Sequence, residues 1–209
     1  MSSNRRYLPS LLFGAAACLL LVGAASDTGS PQPTKVSWRV PEADLENGEA
    51  IAQTCMTCHQ TGAPQLDPPT AKLYRQRRSY VFFSLLEFKN GTRENALMQP
   101  FVDPLSEKDI RDVSAYIAGE ELNQPPRARR DLPGYAKAVR DCAWCHGETG
   151  IGELEGMPIL TGQDPEYLKT ALNEFLDGTR KEPTMSSVIK DVDPADFDDL
   201  VKYYAAHEW

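Results

Sequence analysis

A chain of 209 residues with 41% hydrophobic and 25% charged residues has an ordinary globular makeup and is sized for one or two domains. Its net charge of −8 offers no basic footprint for nucleic acid. It also contains no G-x-G-x-x-G run that would bind a dinucleotide.

Residues 1–26 read as a targeting segment. Arg5 and Arg6 form a basic flank, Leu11 to Ala25 an apolar stretch of 15 residues, and Ala24-Ala25-Ser26 a small-residue cleavage site. Fifteen residues is short for a membrane span, which needs roughly 20. A cleaved signal peptide is therefore expected, with a retained N-terminal anchor as the alternative. Cys18 lies inside the apolar run and reads as a small hydrophobe. Residues 27–44, rich in Ser, Pro, Gln and Thr, read as a linker that would tether the protein if the leader stayed in the membrane.

Residues 45–119 read as a first domain. A helical run over Glu46–Thr54 leads into Cys55-Met56-Thr57-Cys58-His59. The pattern C-x-x-C-H is an attachment site for a c-type haem. Two thiols three positions apart reach the two vinyl groups of one porphyrin, and the adjacent histidine is held beneath the iron. A loop with Gly62, Pro64, Pro68 and Pro69 follows. Ser79 is expected to cap a helix over Tyr80–Lys89 that stops at Asn90-Gly91. Met98 lies in the next loop. Ser106, with Asp109 at the capping-box position, opens a last helix ending at Gly119.

Residues 120–133, with Pro125, Pro126 and the basic cluster Arg127, Arg129 and Arg130, read as a semi-rigid interdomain linker. Residues 134–209 repeat the plan around Cys142-Ala143-Trp144-Cys145-His146. Asp164-Pro165 starts a helix over Glu166–Leu176 that Gly178 ends. Asp193-Pro194 starts a final helix with Phe197, Leu200, Val201 and Tyr204 on one face. No strand pattern has useful strength, so the fold class is all-α.

A constant offset of 87 runs through both halves. It relates the two haem motifs and takes Gln76 to Gln163, Tyr80 to Tyr167, Phe88 to Phe175, Arg93 to Arg180 and Asp112 to Asp199. Such self-similarity means two tandem copies of one domain. The same register selects a second ligand for each iron, since a methionine thioether opposite histidine is a common electron-transfer ligation. Of five methionines only Met98 and Met185 correspond, each 39 residues after its histidine. The expected sites are thus Cys55, Cys58, His59 and Met98, and Cys142, Cys145, His146 and Met185, holding two covalent haems c. A four-cysteine zinc site is the competing reading. Zinc pairs lie about 15–20 residues apart, whereas these begin 87 apart.

The chain resembles the di-haem cytochromes c of the c4 type from about residue 46 to residue 209. The resemblance rests on the two C-x-x-C-H motifs, Met98, Met185, and the run Pro158-Ile159-Leu160-Thr161-Gly162-Gln163 followed by Tyr167, Phe175 and Gly178-Thr179-Arg180. It implies two class I cytochrome c domains related by a pseudo-twofold axis, each haem held by His and Met. It further implies a periplasmic electron carrier rather than an enzyme, working between a quinol-oxidising complex and a terminal oxidase. The haem subunit of flavocytochrome c sulfide dehydrogenase is similar to the same template and supplies the alternative function. The first half departs from the pattern, with Arg75 where Gly162 stands and Ala71 where Pro158 stands. Its haem-wrapping loop is therefore expected to differ.

Tyr80, Tyr167, Gln76, Gln163, Arg93 and Arg180 are candidates to hydrogen-bond haem propionates. Helix-core tyrosines with solvated arginines are the alternative. His207 reads as a surface residue and Trp144 as packing. Residues 35–134 carry 13 Lys and Arg against 14 Asp and Glu, while residues 135–209 carry 7 against 15. The second half therefore holds nearly all the net charge, clustered in Asp191, Asp193, Asp196, Asp198 and Asp199. That cluster reads either as a solvated face or as a docking patch for a basic redox partner.

Overall fold

A computed structural model describes residues 42–60, 62–63, 66–119 and 127–207. The leader, most of the first linker and residues 120–126 lie outside the described residues. Among those described, every regular element is helical and no helix is long and apolar enough to cross a membrane.

The first lobe contains α1 (Leu45–His59), α2 (Arg78–Lys89), α3 (Gln99–Val102) and α4 (Glu107–Ala118). Asp44 caps α1 by accepting from the Asn47 N–H, and the helix continues through the haem motif rather than stopping at Thr54. The capping box of α4 is present: Ser106 accepts from the Asp109 N–H and Asp109 accepts from the Ser106 N–H. Ser79 does not cap α2. That helix starts at Arg78 without a side-chain cap, and the Ser79 hydroxyl instead reaches the second lobe. It donates to Glu155 at 3.1 Å and accepts from the Gly156 N–H at 3.1 Å.

The second lobe contains α5 (Tyr135–Asp141), α6 (Ala143–His146), α7 (Pro165–Asp177), α8 (Pro183–Val188) and α9 (Phe197–Ala205). Asp164 caps α7 and Gly178, at φ 80°, ends it. A 3-10 turn over Pro194–Asp196 precedes α9, whose Phe197, Leu200, Val201 and Tyr204 are all buried. In each lobe the haem-bearing helix crosses the C-terminal one, α1 on α4 and α5 on α9, and the middle helix (α2 or α7) packs on the same partner.

A glycine sits at both crossings. A Cβ on Gly48 would collide with the Asp112 carbonyl, and one on Gly134 with the Asp199 carbonyl. Asp112 and Asp199 are repeat partners, yet the glycines are 86 residues apart, not 87. The second lobe thus has one extra residue between its glycine and its first cysteine. One residue rotates a helix by about 100°. The chain absorbs the turn by breaking at Cys142, where φ is −121° and ψ −32°, so a single helix in the first lobe becomes α5 and α6 in the second.

The two lobes meet through a reciprocal pair of glutamines. Gln76 donates to the Ile159 carbonyl at 3.0 Å and accepts from the Ile159 N–H at 2.8 Å. Gln163 does the same to Lys72, at 2.9 Å and 2.7 Å. Lys72 and Ile159 are themselves 87 apart, so these four bonds obey a pseudo-twofold. Both glutamines are buried, at 4% and 6% exposure. Burial makes each bond costly to leave unmade, about 1–3 kcal/mol for each stranded backbone group.

The structure corrects one expectation and adds detail to two others. His207 is buried at 2% exposure: its Nδ1 pairs with the Tyr203 carbonyl at 2.9 Å and its Nε2 accepts the Arg129 N–H at 3.2 Å. Those bonds tie the end of α9 to the segment entering the second lobe. Within the acidic cluster Asp191, Asp193 and Asp198 are exposed, and three of the five aspartates form ion pairs. Lys137 bridges Asp196 at 2.9 Å and Asp199 at 2.7 Å, Arg140 meets Asp196 at 3.0 Å, and Lys169 meets Asp198 at 2.6 Å. These aspartates join the lobe's own helices. Finally, Arg75 adopts φ 57° and Gly162 φ 61°, so the left-handed turn survives without a glycine, while the loops differ in their bonds: the Leu73 N–H donates to the His59 carbonyl and the Leu160 N–H to the Gly150 carbonyl. A non-glycine residue in that turn bears roughly 1–2 kcal/mol of local strain.

The crossings generate a stability prediction. Gly48→Ala and Gly134→Ala should each cost about 1–3 kcal/mol by forcing the helices apart, whereas Gln53→Ala on the exposed face of α1 should stay within about 0.5 kcal/mol. Thermal melts of the haem-loaded protein check this. A melt unchanged by either glycine substitution would contradict the close crossing.

Candidate haem sites

The motif of the first lobe occupies the last turns of α1. Cys55 packs against the buried cluster of Ala52, Val81, Val113 and Ile117. In the second lobe Cys142 ends α5, and Cys145 and His146 stand on the single turn of α6. Burial raises the pKa of both leading thiols, Cys142 to about 12 with Asp141 adding to the effect. A dithiol redox centre needs the opposite shift. The four thiols form no disulfide, and no cluster of three or more metal-binding side chains exists among the described residues.

The two histidines are held identically. His59 Nδ1 lies 2.7 Å from the Ala71 carbonyl and His146 Nδ1 lies 3.0 Å from the Pro158 carbonyl, each twelve residues onward. A carbonyl can only accept, so each Nδ1 carries the proton and each Nε2 keeps its lone pair for a metal. Burial lowers both histidine pKa values, opposed by those carbonyl bonds. The lowering favours the neutral ring, the form that ligates.

The methionines begin short helical segments, and a side chain three residues earlier fixes each one. Asn95 accepts from the Met98 N–H at 3.1 Å, and Glu182 accepts from the Met185 N–H at 2.7 Å. Asn95 and Glu182 are 87 apart. Residue chemistry alone gives no reason to pair an Asn with a Glu, and the repeat register was the available signal. Gln99, beside Met98, also ties its segment to α2 through the Phe88 carbonyl at 3.2 Å.

In the second lobe the structure brings the whole expected set together. Cys142, Cys145, His146 and Met185 all line one cavity of about 630 Å³. The first lobe completes its wall with Gln76, Tyr80, Phe83, Leu86 and Glu87. In the first lobe Cys55, Cys58 and His59 share one helix end, and Met98 stands on a separate segment. Trp144 lies at the cavity rim with 89% exposure, so it is not a packing residue.

The aromatic and basic candidates form a cross-lobe group. Arg180 donates to the Tyr80 hydroxyl at 2.9 Å, and the Arg93 charge acts on both Tyr80 and Tyr167. Arg180 also stacks 4.5 Å over Phe175, as Arg93 does over Phe88. Burial resists ionisation of Tyr80, but Arg180 and Arg93 outweigh it and lower its pKa to about 8. Arg180 is only 7% exposed and its Nε, buried, has no partner among the described residues. A stranded cationic donor on the wall of an apolar cavity suits a carboxylate, the group a haem propionate brings. The cavity therefore fits haem on its charge as well as its lining.

Comparison with known proteins agrees with this geometry. The family described as "Cytochrome C oxidase, cbb3-type, subunit III" matches residues 43–117. Cytochrome c4 of Thiocapsa roseopersicina is 31% identical over 145 residues, covering 63% of this chain and 74% of that one. The thiosulfate dehydrogenase electron acceptor of Stutzerimonas stutzeri (strain A1501) is 30% identical over 185 residues, covering 81% and 80%. The structure of reduced recombinant cytochrome c4 from Pseudomonas stutzeri superposes with a TM-score of 0.67 at 25% identity, covering 80% of this chain and all of that one. The chain belongs to the di-haem cytochromes c of the c4 type. It is an electron carrier, not an enzyme, and holds two covalently bound haems c.

Ligation is open to a direct check. Met98→Ala and Met185→Ala should each remove half of the long-wavelength sulfur–iron(III) charge-transfer band and lower one midpoint potential, because a thioether favours ferrous iron. A variant whose spectrum and potentials match wild type would show that methionine to be core filler.

Proposed function

We propose that the protein shuttles electrons in the periplasm between respiratory donors and a terminal oxidase or reductase. In this reading Cys55, Cys58, Cys142 and Cys145 form the thioethers, and His59 with Met98 and His146 with Met185 close the two irons. The domains would be 45–119 and 134–209, joined by 120–133, with residues 1–26 as the export leader and 27–44 as a linker. The observation that carries the reading is the matched pair of histidines, each with Nδ1 committed to a backbone carbonyl and Nε2 free. Bound haem iron supplies a one-electron couple. The chain's own side chains orient the ligands, keep water from the cavity and balance propionate charge. With His59 and Met98, and His146 and Met185, holding the two irons, the haems would exchange electrons and leave no position for a substrate.

The named relatives narrow the donor. Similarity to thiosulfate dehydrogenase electron acceptors, over about four-fifths of both chains in one case, supports thiosulfate dehydrogenase as one source of electrons. A quinol-oxidising complex is the more general one. The test is a stopped-flow cycle with purified components. Thiosulfate dehydrogenase plus thiosulfate should reduce both haems, and a terminal oxidase should reoxidise both, with a carrier that purifies alone. A chain isolated in stable complex with a flavoprotein, and inert toward the oxidase, would point instead to the cytochrome subunit of a flavocytochrome c.

A further inference from the structure

The cross-lobe glutamines touch the residues next to the two histidine-binding carbonyls. Gln76, in the first lobe, holds both backbone groups of Ile159. The preceding residue, Pro158, gives its carbonyl to His146 Nδ1 at 3.0 Å. Gln163, in the second lobe, holds both backbone groups of Lys72. The preceding residue, Ala71, gives its carbonyl to His59 Nδ1 at 2.7 Å. Each glutamine is fixed in turn by a bond beside it, Gln76 accepting from the Arg77 N–H and Gln163 from the Asp164 N–H, both at 3.0 Å. The arrangement is crossed: each lobe grips the strap that orients the other lobe's histidine.

We propose that Gln76 and Gln163 are crossed positioning residues, each setting the strength of the Nδ1–carbonyl bond of the opposite lobe's axial histidine and thereby the potential of the opposite haem. The inference rests on the reading of His59 and His146 as iron ligands. Its physical basis is the outer-shell bond. An imidazole that donates strongly from Nδ1 is a more basic ligand at Nε2, and a more basic ligand favours ferric iron. Releasing the Ile159 strap frees the Pro158 carbonyl to drift, weakens donation from His146 and favours ferrous iron in the second lobe. The first-lobe histidine keeps its own strap, which Gln163 holds. The two redox centres are then linked through a short run of backbone, independent of their direct electrostatic interaction.

The test uses the haem-loaded full chain carrying Gln76→Met or Gln163→Met, which keep the side-chain length and remove the amide. Midpoint potentials are measured for both haems, and the one displaced by Met185→Ala marks the second lobe. Hyperfine-shifted proton spectra of each haem give a second readout that does not depend on electron transfer. Gln76→Met should shift the ferrous-over-ferric equilibrium about threefold upward at the second-lobe haem, about 28 mV at 59 mV per tenfold for one electron. The first-lobe haem should hold still. Gln163→Met should give the mirror result, so either variant carries the test if the other fails to fold. A shift in the variant's own lobe, an equal shift in both, or no shift in either would overturn the inference. The ligand reading fails on a different result, a low-spin six-coordinate spectrum that survives intact in His146→Ala.

Discussion

An imidazole that is to ligate iron must keep one nitrogen bare, and a free side chain does not. Here one hydrogen bond per lobe settles the matter, from Nδ1 to a backbone carbonyl twelve residues on. Much else in the structure keeps that carbonyl in place. The left-handed residue at Arg75 or Gly162 turns the loop behind it. The glutamine of the opposite lobe clips the neighbouring residue. The glycine crossing brings the motif-bearing helix close enough to its C-terminal partner for the histidine to lie over the loop at all.

The repeat shows what this constraint tolerates. Proline is replaced by alanine at the carbonyl position, because the bond uses a backbone oxygen that any residue supplies. Glycine is replaced by arginine at a positive φ, at a modest strain. One residue is inserted before the second motif, and the helix breaks to keep the motif facing inward. Even the bridge to the paired aspartates changes chemistry, Asn47 joining Asp109 and Asp112 in one lobe and Lys137 joining Asp196 and Asp199 in the other. What both lobes keep is the histidine–carbonyl bond and the left-handed turn after it.

Much of this was legible in the sequence, since covalent haem attachment imposes a short motif and a tandem repeat reveals itself by its period. The helices around Val113 and Leu200 follow from apolar spacing, and Ser106, Asp164 and Gly178 cap or end helices as their chemistry suggests. What escaped depends on contacts between lobes or elements, which local pattern does not encode. Ser79 has the composition of a cap but a partner in the other lobe. His207 follows a helix near the chain end yet is enclosed by Tyr203 and the Arg129 backbone. The aspartates of α9 are acidic in sequence and neutralised in space by Lys137, Arg140 and Lys169. Gln76 and Gln163 stand in register as haem-binding candidates, and the bonds their amides make run to backbone across the lobes.

Both haem sites therefore depend on the two lobes gripping each other's histidine straps in solution. Amide hydrogen exchange at Lys72 and Ile159 measures this directly, because both N–H groups are given to glutamine oxygens rather than to a helix of their own. Both lie in loops, where amides without such partners exchange quickly. Protection at both positions should be comparable to that of the buried turns of α4 and α9. Exchange at the rate of an exposed loop, with those helices still protected, would contradict it.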